Sequence, residues 1–220
     1  MCSSDLDRDA PRHRGISYLL VPMDQPGIEV RPIVQITGTS EFNEVFFDGA
    51  RTAADNIVGE VNGGWRVAMG TLAFERGALT LGQQLTFLNE WREIVEAARR
   101  RGNHADPVLR QRLVQAWVEL EIMKYTALRS LSSLEDGTLT RETSISKLYW
   151  ATLHRELGRL AMDVLGPEAE LAEGAPYDLT LAQRIFLFTR ADTIYGGSNQ
   201  IQRNVIGERA LGLPPEPKVV

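Results

Sequence analysis

Two places in this 220-residue chain combine residue types that can do chemistry. The first is Glu75-Arg76, set among Ala73, Phe74, Gly77, Ala78 and Leu79. A carboxylate among apolar side chains resists ionisation, which suits a general base working near neutral pH, with the adjacent guanidinium to orient or balance it. Without such surroundings, a helical glutamate is a solvated charge. The second place is Tyr195-Gly196-Gly197-Ser198-Asn199-Gln200, continued by Gln202 and Arg203. Paired glycines allow positive φ and close approach of another molecule to the backbone. Ser198 is a good N-cap, and the free N–H groups of a helix start suit a phosphate or pyrophosphate. Asn199, Gln200, Gln202 and Arg203 can add hydrogen bonds at the mouth. On spacing alone, the same string reads as a loop and a helix cap. His13, His104 and His154 stand apart in sequence and read as surface or structural residues. No Cys, His or carboxylate cluster has metal-ligand spacing, and no nucleophile stands beside a base.

The elements that must position these residues are mostly helices. Apolar residues near helical spacing run from Trp65 through Met69, Leu72, Leu79, Leu85, Leu88, Ile94 and Val95 to about Arg101. Arg99-Arg100-Arg101-Gly102 ends that helix, with cations on its negative end, and reads as a solvated terminus. Asp106-Pro107 caps and starts a second helix, to about Leu134, with Leu109, Leu113, Trp117, Leu120, Leu128 and Leu131 as its expected core. Asp136-Gly137 reads as a turn, and Thr140 as the cap of a third helix with the stripe Leu148, Leu153, Leu157, Leu160 and Val164. Gly166-Pro167 ends it, residues 167–179 read as loop, and Leu181–Asp192 and Ser198–Leu211 as two further helices. Upstream, Ile16–Val21 and Ile28–Val34 predict a hairpin around Pro26-Gly27, and Phe42–Phe47 a third strand. The expected fold is mainly α: an antiparallel helical bundle preceded by a few β-strands.

Composition excludes several classes. The chain is 43% hydrophobic and 24% charged, ordinary for a soluble globular protein. A net charge of −5 gives no basic footprint for nucleic acid. No stretch approaches the roughly 20 apolar residues of a membrane span, and no leader is visible. The lone Cys2 fits a reducing, cytoplasmic compartment. Met1-Cys2-Ser3-Ser4-Asp5-Leu6 reads like the translated end of a sequencing adapter, so residues 1–6 are set aside.

Residues 194–214, Ile-Tyr-Gly-Gly-Ser-Asn-Gln-Ile-Gln-Arg-Asn-Val-Ile-Gly-Glu-Arg-Ala-Leu-Gly-Leu-Pro, closely resemble the C-terminal signature of acyl-CoA dehydrogenases. Phe42–Asp48 followed by Asn56-Ile57-Val58-Gly59 resembles the tail of that family's middle β-domain. The resemblance covers the C-terminal half of the family and implies a fragment. Residues 7–62 would belong to the middle domain, 63–213 to the C-terminal bundle and 214–220 to a tail. It implies FAD as cofactor, an acyl-CoA substrate oxidised to the 2,3-enoyl-CoA, electron-transfer flavoprotein as acceptor, and a homo- or hetero-tetramer built through the bundle. In the commoner family form the base is a Glu after the motif tyrosine; here that position is Gly196. A subset carries the base on the first bundle helix immediately before an Arg, the positions of Glu75 and Arg76. The resemblance assigns flavin binding to Gly197, Ser198 and Gln200, makes Tyr195 line the substrate or flavin pocket, and makes Gly196 part of the substrate pocket. Two family patterns that reach FAD across a subunit interface are missing. Arg100-Arg101-Gly102-Asn103-His104 replaces an Arg-x-x-Phe-Gly, and Asp163-Val164-Leu165-Gly166-Pro167 replaces a Gln-x-x-Gly-Gly. These departures favour a heteromer in which a related subunit supplies what is lacking. A non-catalytic subunit and a helical interaction module without flavin are the alternatives.

Overall fold

The computed structural model describes residues 2–78, 80–132, 141–171, 178–215 and 217, the side chains of 2–5, 73–78, 80, 141 and 142 excepted. The chain divides into two compact units, Met1–Glu75 and Arg76–Val220.

Among the described residues, the first unit contains four strands in two antiparallel pairs. Strand β1 (Cys2–Asp5) pairs with β2 (Ile16–Leu19), and β3 (Ile28–Ile33) with β4 (Phe42–Phe47). The expected hairpin of residues 16–34 is therefore not formed. Pro22, which has no N–H, follows the end of β2, and Gly27 (φ 87°) opens β3 by accepting a 2.7 Å hydrogen bond from Asp48 N at the end of β4. Cys2–Asp5, set aside above, supplies the strand that β2 pairs with. Val30, Ile33, Phe42, Val45, Phe46 and Phe47 are all exposed, so among the described residues the β3–β4 ladder has little apolar cover. Helix α1 (Gly64–Ala78) follows and runs across the boundary between the units.

The second unit is the antiparallel bundle: α2 (Thr80–Arg101), α3 (Pro107–Ser132), α4 (Arg141–Leu165), α5 (Leu181–Asp192) and α6 (Asn199–Val205). Helices α1 and α2 cover the expected helix from Trp65 to about Arg101, and Leu79, between them, lies outside the described residues. The turn at Asp136-Gly137 and the Thr140 cap also lie outside them. Asp106 caps α3, its Oδ1 accepting from Val108 N and Leu109 N at 2.7 and 3.1 Å, and Pro107 is the first helical residue. Thr180 and Gln183 form a reciprocal capping box at the start of α5.

Helix α4 is central and packs on α2, α3, α5 and α6. Leu153, Leu157, Leu160 and Val164 are buried as their spacing predicts, with Phe87, Ile94, Leu113 and Leu120 from the neighbouring helices. Gly158 permits the close approach of α5: a Cβ there would lie 3.0 Å from Phe186 Cα and 2.6 Å from Thr189 Oγ1. The expected core of α3 needs correction. Leu109, Leu113 and Leu120 are buried, but Trp117, Leu128 and Leu131 are exposed, as is Leu85 of α2. Helix α3 carries apolar residues on two faces, and only one meets the rest of the bundle. The last expected helix is also shorter: α6 ends at Val205 and a wider π turn spans Ile206–Ala210.

Candidate functional site

The Gly-Gly turn lies between α5 and α6, and its geometry begins at the end of α5. Asp192 is the last residue of that helix and is fully buried. A carboxylate is unfavourable at the negative end of a helix dipole and in an apolar interior, so it needs partners. It has several. Asp192 Oδ2 lies 2.6 Å from His154 Nδ1 on α4, and Oδ1 accepts from the Tyr195 hydroxyl at 2.7 Å. Its backbone carbonyl accepts from Lys147 Nζ, also on α4. The other nitrogen of His154 lies 2.7 Å from Glu90 Oε2 on α2. Phe87 stacks on the imidazole with ring centres 3.8 Å apart.

Both ring nitrogens of His154 face carboxylates, an arrangement that a doubly protonated imidazole satisfies. Burial works to lower the His154 pKa, but the hydrogen bonds to Asp192 and Glu90 outweigh it, and the pKa is raised. Burial also holds Lys147 below its ordinary range, with the Asp192 charge opposing it. The ammonium of Lys147 sits over the rings of Trp150 and Tyr195, 4.4 and 5.2 Å from their centres. Burial and then the Asp192 carboxylate raise the pKa of Tyr195, which keeps the phenol protonated as a donor. Two carboxylates and two cations thus balance within the bundle, the condition under which buried charge is tolerated.

The turn itself is supported from beneath. Gly196 (φ 62°) and Gly197 (φ 94°) are both in the left-handed region. Gln202, 2% exposed, donates from Nε2 to the Gly196 carbonyl at 3.2 Å, and a Cβ on Gly197 would collide with that amide nitrogen. Ser198 caps α6, its Oγ accepting from Ile201 N at 3.3 Å. Asn199 is buried, with Nδ2 3.4 Å from Thr152 Oγ1 and Oδ1 without a hydrogen-bond partner among the described residues. Asn199 and Gln202 therefore do not reach the mouth as expected; helical spacing turns them inward as supports. Gln200 and Arg203 face outward.

The expected site residues thus fall into two groups. Tyr195, Gly196, Gly197, Ser198 and Gln200 are brought together at this turn. Glu75 and Arg76 lie on α1, and their side chains are outside the description. In the sequence His154 stands isolated, as a surface or structural residue, and its partners do not show. Glu90 and Asp192 lie 64 and 38 positions away, so no local spacing joins them.

A cavity of about 290 Å³ opens at the other end of α5, lined by Ala97, Arg100, Arg101, Val164, Leu165 and Leu181 among others. Arg101 ends α2 exposed, as expected of a solvated terminus, and in addition donates to the Leu165 carbonyl at 3.2 Å and pairs with Glu168. Arg99 fits the simpler reading, exposed and paired with Glu96 one turn back. Among the described residues, no helix is long and apolar enough to cross a membrane.

Residues 62–211 match the family model described as acyl-CoA dehydrogenase, C-terminal domain. The chain is 55% identical to acyl-CoA dehydrogenase IpdE1 of Mycolicibacterium smegmatis over 96% of its own length and 53% of that protein's. It is 37% identical to acyl-CoA dehydrogenase FadE34 of Mycobacterium tuberculosis over 97% of its length and 29% of that protein's. Among solved structures it resembles the Tcur3481-Tcur3483 steroid ACAD, with a TM-score of 0.80 and 28% identity over 97% of this chain and 56% of that one. It also resembles the ChsE4-ChsE5 complex from Mycobacterium tuberculosis, with a TM-score of 0.75 and 30% identity over 93% and 55% of the two chains. The chain spans about half the length of the IpdE1 proteins it matches.

Proposed function

This chain belongs to the acyl-CoA dehydrogenase family, and on that premise we propose that its protein is an FAD-dependent dehydrogenase converting an acyl-CoA thioester to the 2,3-enoyl-CoA. The observation that carries the reading is the Gly196-Gly197-Ser198 turn: two left-handed glycines before a capped helix, backed by a buried Gln202. Its backbone offers a flavin close approach with no intervening Cβ, and Tyr195, 37% exposed, borders it. The residues that would hold FAD are Gly197, Ser198 and Gln200, with Tyr195 and Gly196 lining the pocket. When bound, FAD supplies the acceptor for the hydride that leaves the β-carbon. Glu75 takes the α-proton onto its carboxylate, and the α C–H bonding pair becomes the new double bond. Arg76 orients or charge-balances that carboxylate. Gly196, in the position of the alternative base, has no group to protonate. An electron-transfer flavoprotein would be the partner that takes the electrons away.

The narrower reading is a heteromeric enzyme. The two segments that depart from the family's cross-subunit patterns, at Arg100-Arg101 and Val164-Leu165, both border the cavity at the far end of α5. A related subunit would supply the missing contacts. The paired names of the two solved relatives favour the same assembly, and the word steroid in one of them favours a steroid-derived acyl group. The exposed apolar faces of the β3–β4 ladder are expected to be covered by residues outside this chain.

The test uses the full-length protein, alone and co-produced with a related subunit, and compares wild type with Glu75→Gln by stopped-flow flavin bleaching on a panel of straight-chain, branched and steroid acyl-CoAs. Loss of a general base lowers the bleaching rate by about 10²- to 10⁴-fold with FAD retained. Normal bleaching in the variant removes Glu75 from the mechanism. FAD bound only on co-production establishes the heteromer.

A further inference from the structure

The buried chain of contacts behind the turn has no part in the chemistry proposed above, yet it ends there. From α2 to the turn it reads Glu90, His154, Asp192, Tyr195, with contacts of 2.7, 2.6 and 2.7 Å in that order. His154 and Asp192 are 5% and 0% exposed, so water does not compete for these bonds. The last bond spans the C-terminus of α5 and the residue immediately before Gly196. Lys147 adds a second hold by donating to the Asp192 carbonyl and lying under the Tyr195 ring. Gln202 holds the Gly196 carbonyl from the other side. Two consecutive left-handed glycines are the most freely moving backbone a chain can have, and here they are pinned at both ends.

We propose that Asp192 and His154 are positioning residues for flavin binding: through the Tyr195 hydroxyl they fix the Gly196-Gly197 turn in the conformation that receives FAD. The proposal rests on the turn being an FAD site, as argued above. Neither residue touches the cofactor. Their effect is to order the turn before binding, so that the cofactor does not have to. The phenol is the link, because its proton is committed to Asp192 and its ring covers Lys147.

The test is FAD affinity, read from flavin fluorescence on reconstituting the full-length apoprotein with FAD, together with its subunit partner if it requires one. Tyr195 is at the surface, so Tyr195→Phe keeps the fold and the ring and removes only the hydroxyl. It weakens FAD binding about tenfold, the size of one charge-assisted hydrogen bond. In an Asp192→Ala background the same substitution has no further effect, because the hydroxyl has no carboxylate to meet. If Asp192→Ala does not fold, Asp192→Asn serves, and the Tyr195→Phe effect shrinks in that background. An unchanged FAD affinity in Tyr195→Phe overturns the proposal. So does a Tyr195→Phe effect of full size in both backgrounds, which would mean that the hydroxyl acts on the cofactor directly. A wild-type protein that binds no FAD in any assembly overturns the flavin reading itself, and this inference with it.

Discussion

Gly197 has little freedom to change. Its φ of 94° and the Gln202 amide beneath it leave no room for a Cβ. Gly197→Ala should destabilise the full-length protein by about 1–2 kcal/mol for the left-handed conformation alone, and more for the displaced amide. Thermal unfolding measures it, and the same substitution should weaken flavin binding. His154 gives a prediction in pH. Its native pKa is raised above the ordinary 6.5, so its contribution to stability is whole below that value and is lost as the pH rises through the native pKa. The sign is opposite to that of a depressed carboxylate. His154→Gln should therefore cost most below pH 6.5 and progressively less as the pH rises above it, which chemical unfolding of both proteins would reveal. A cost that grows with pH would mean that the imidazole is neutral in the native state.

At the scale of elements, the contact of α4 with α5 is set by one glycine. With Phe186 Cα 3.0 Å from where a Cβ would stand, Gly158→Val must push α5 away. Overpacking of this kind costs about 1–3 kcal/mol. Since α5 carries Asp192, the shift should also weaken FAD binding, unlike a destabilisation of equal size at the far end of α3. Helix α3 itself is apolar on two sides. Leu109, Leu113, Leu120 and Met123 face the core, while Val114, Trp117, Ile122, Tyr125 and Leu128 recur at helical spacing on the exposed side. A stripe of that length on a single helix suits subunit association more than solvent.

For the whole molecule, that stripe predicts an outcome in solution. In the full-length protein, Trp117→Glu with Ile122→Glu should shift sedimentation to a smaller species, with the helical circular dichroism signal unchanged. An unchanged sedimentation coefficient would remove α3 from the interface. The first unit makes a related prediction. Two-stranded ladders are marginal in water on their own, and the β3–β4 pair exposes Val30, Phe42 and Phe46. The 220-residue chain alone should bind a hydrophobic dye, and the full-length protein much less.

The sequence by itself determined what depends on near neighbours in the chain. Leu181–Asp192 has the boundaries that its cap and period dictate, and Leu153, Leu157, Leu160 and Val164 of the α4 stripe are buried, with Leu148 half-buried, because a helix brings residues three and four apart onto one face. The Gly-Gly-Ser turn and its family were legible for the same reason: the motif is contiguous. Tertiary structure decided what depends on residues far apart. It joined Glu90, His154 and Asp192 from three helices, and it turned Asn199 and Gln202 inward. It chose which apolar face of α3 enters the core, leaving Trp117 outside, and paired β2 with β1 instead of β3. In each case the local pattern allowed more than one arrangement, and burial of charge and apolar surface against distant elements selected among them.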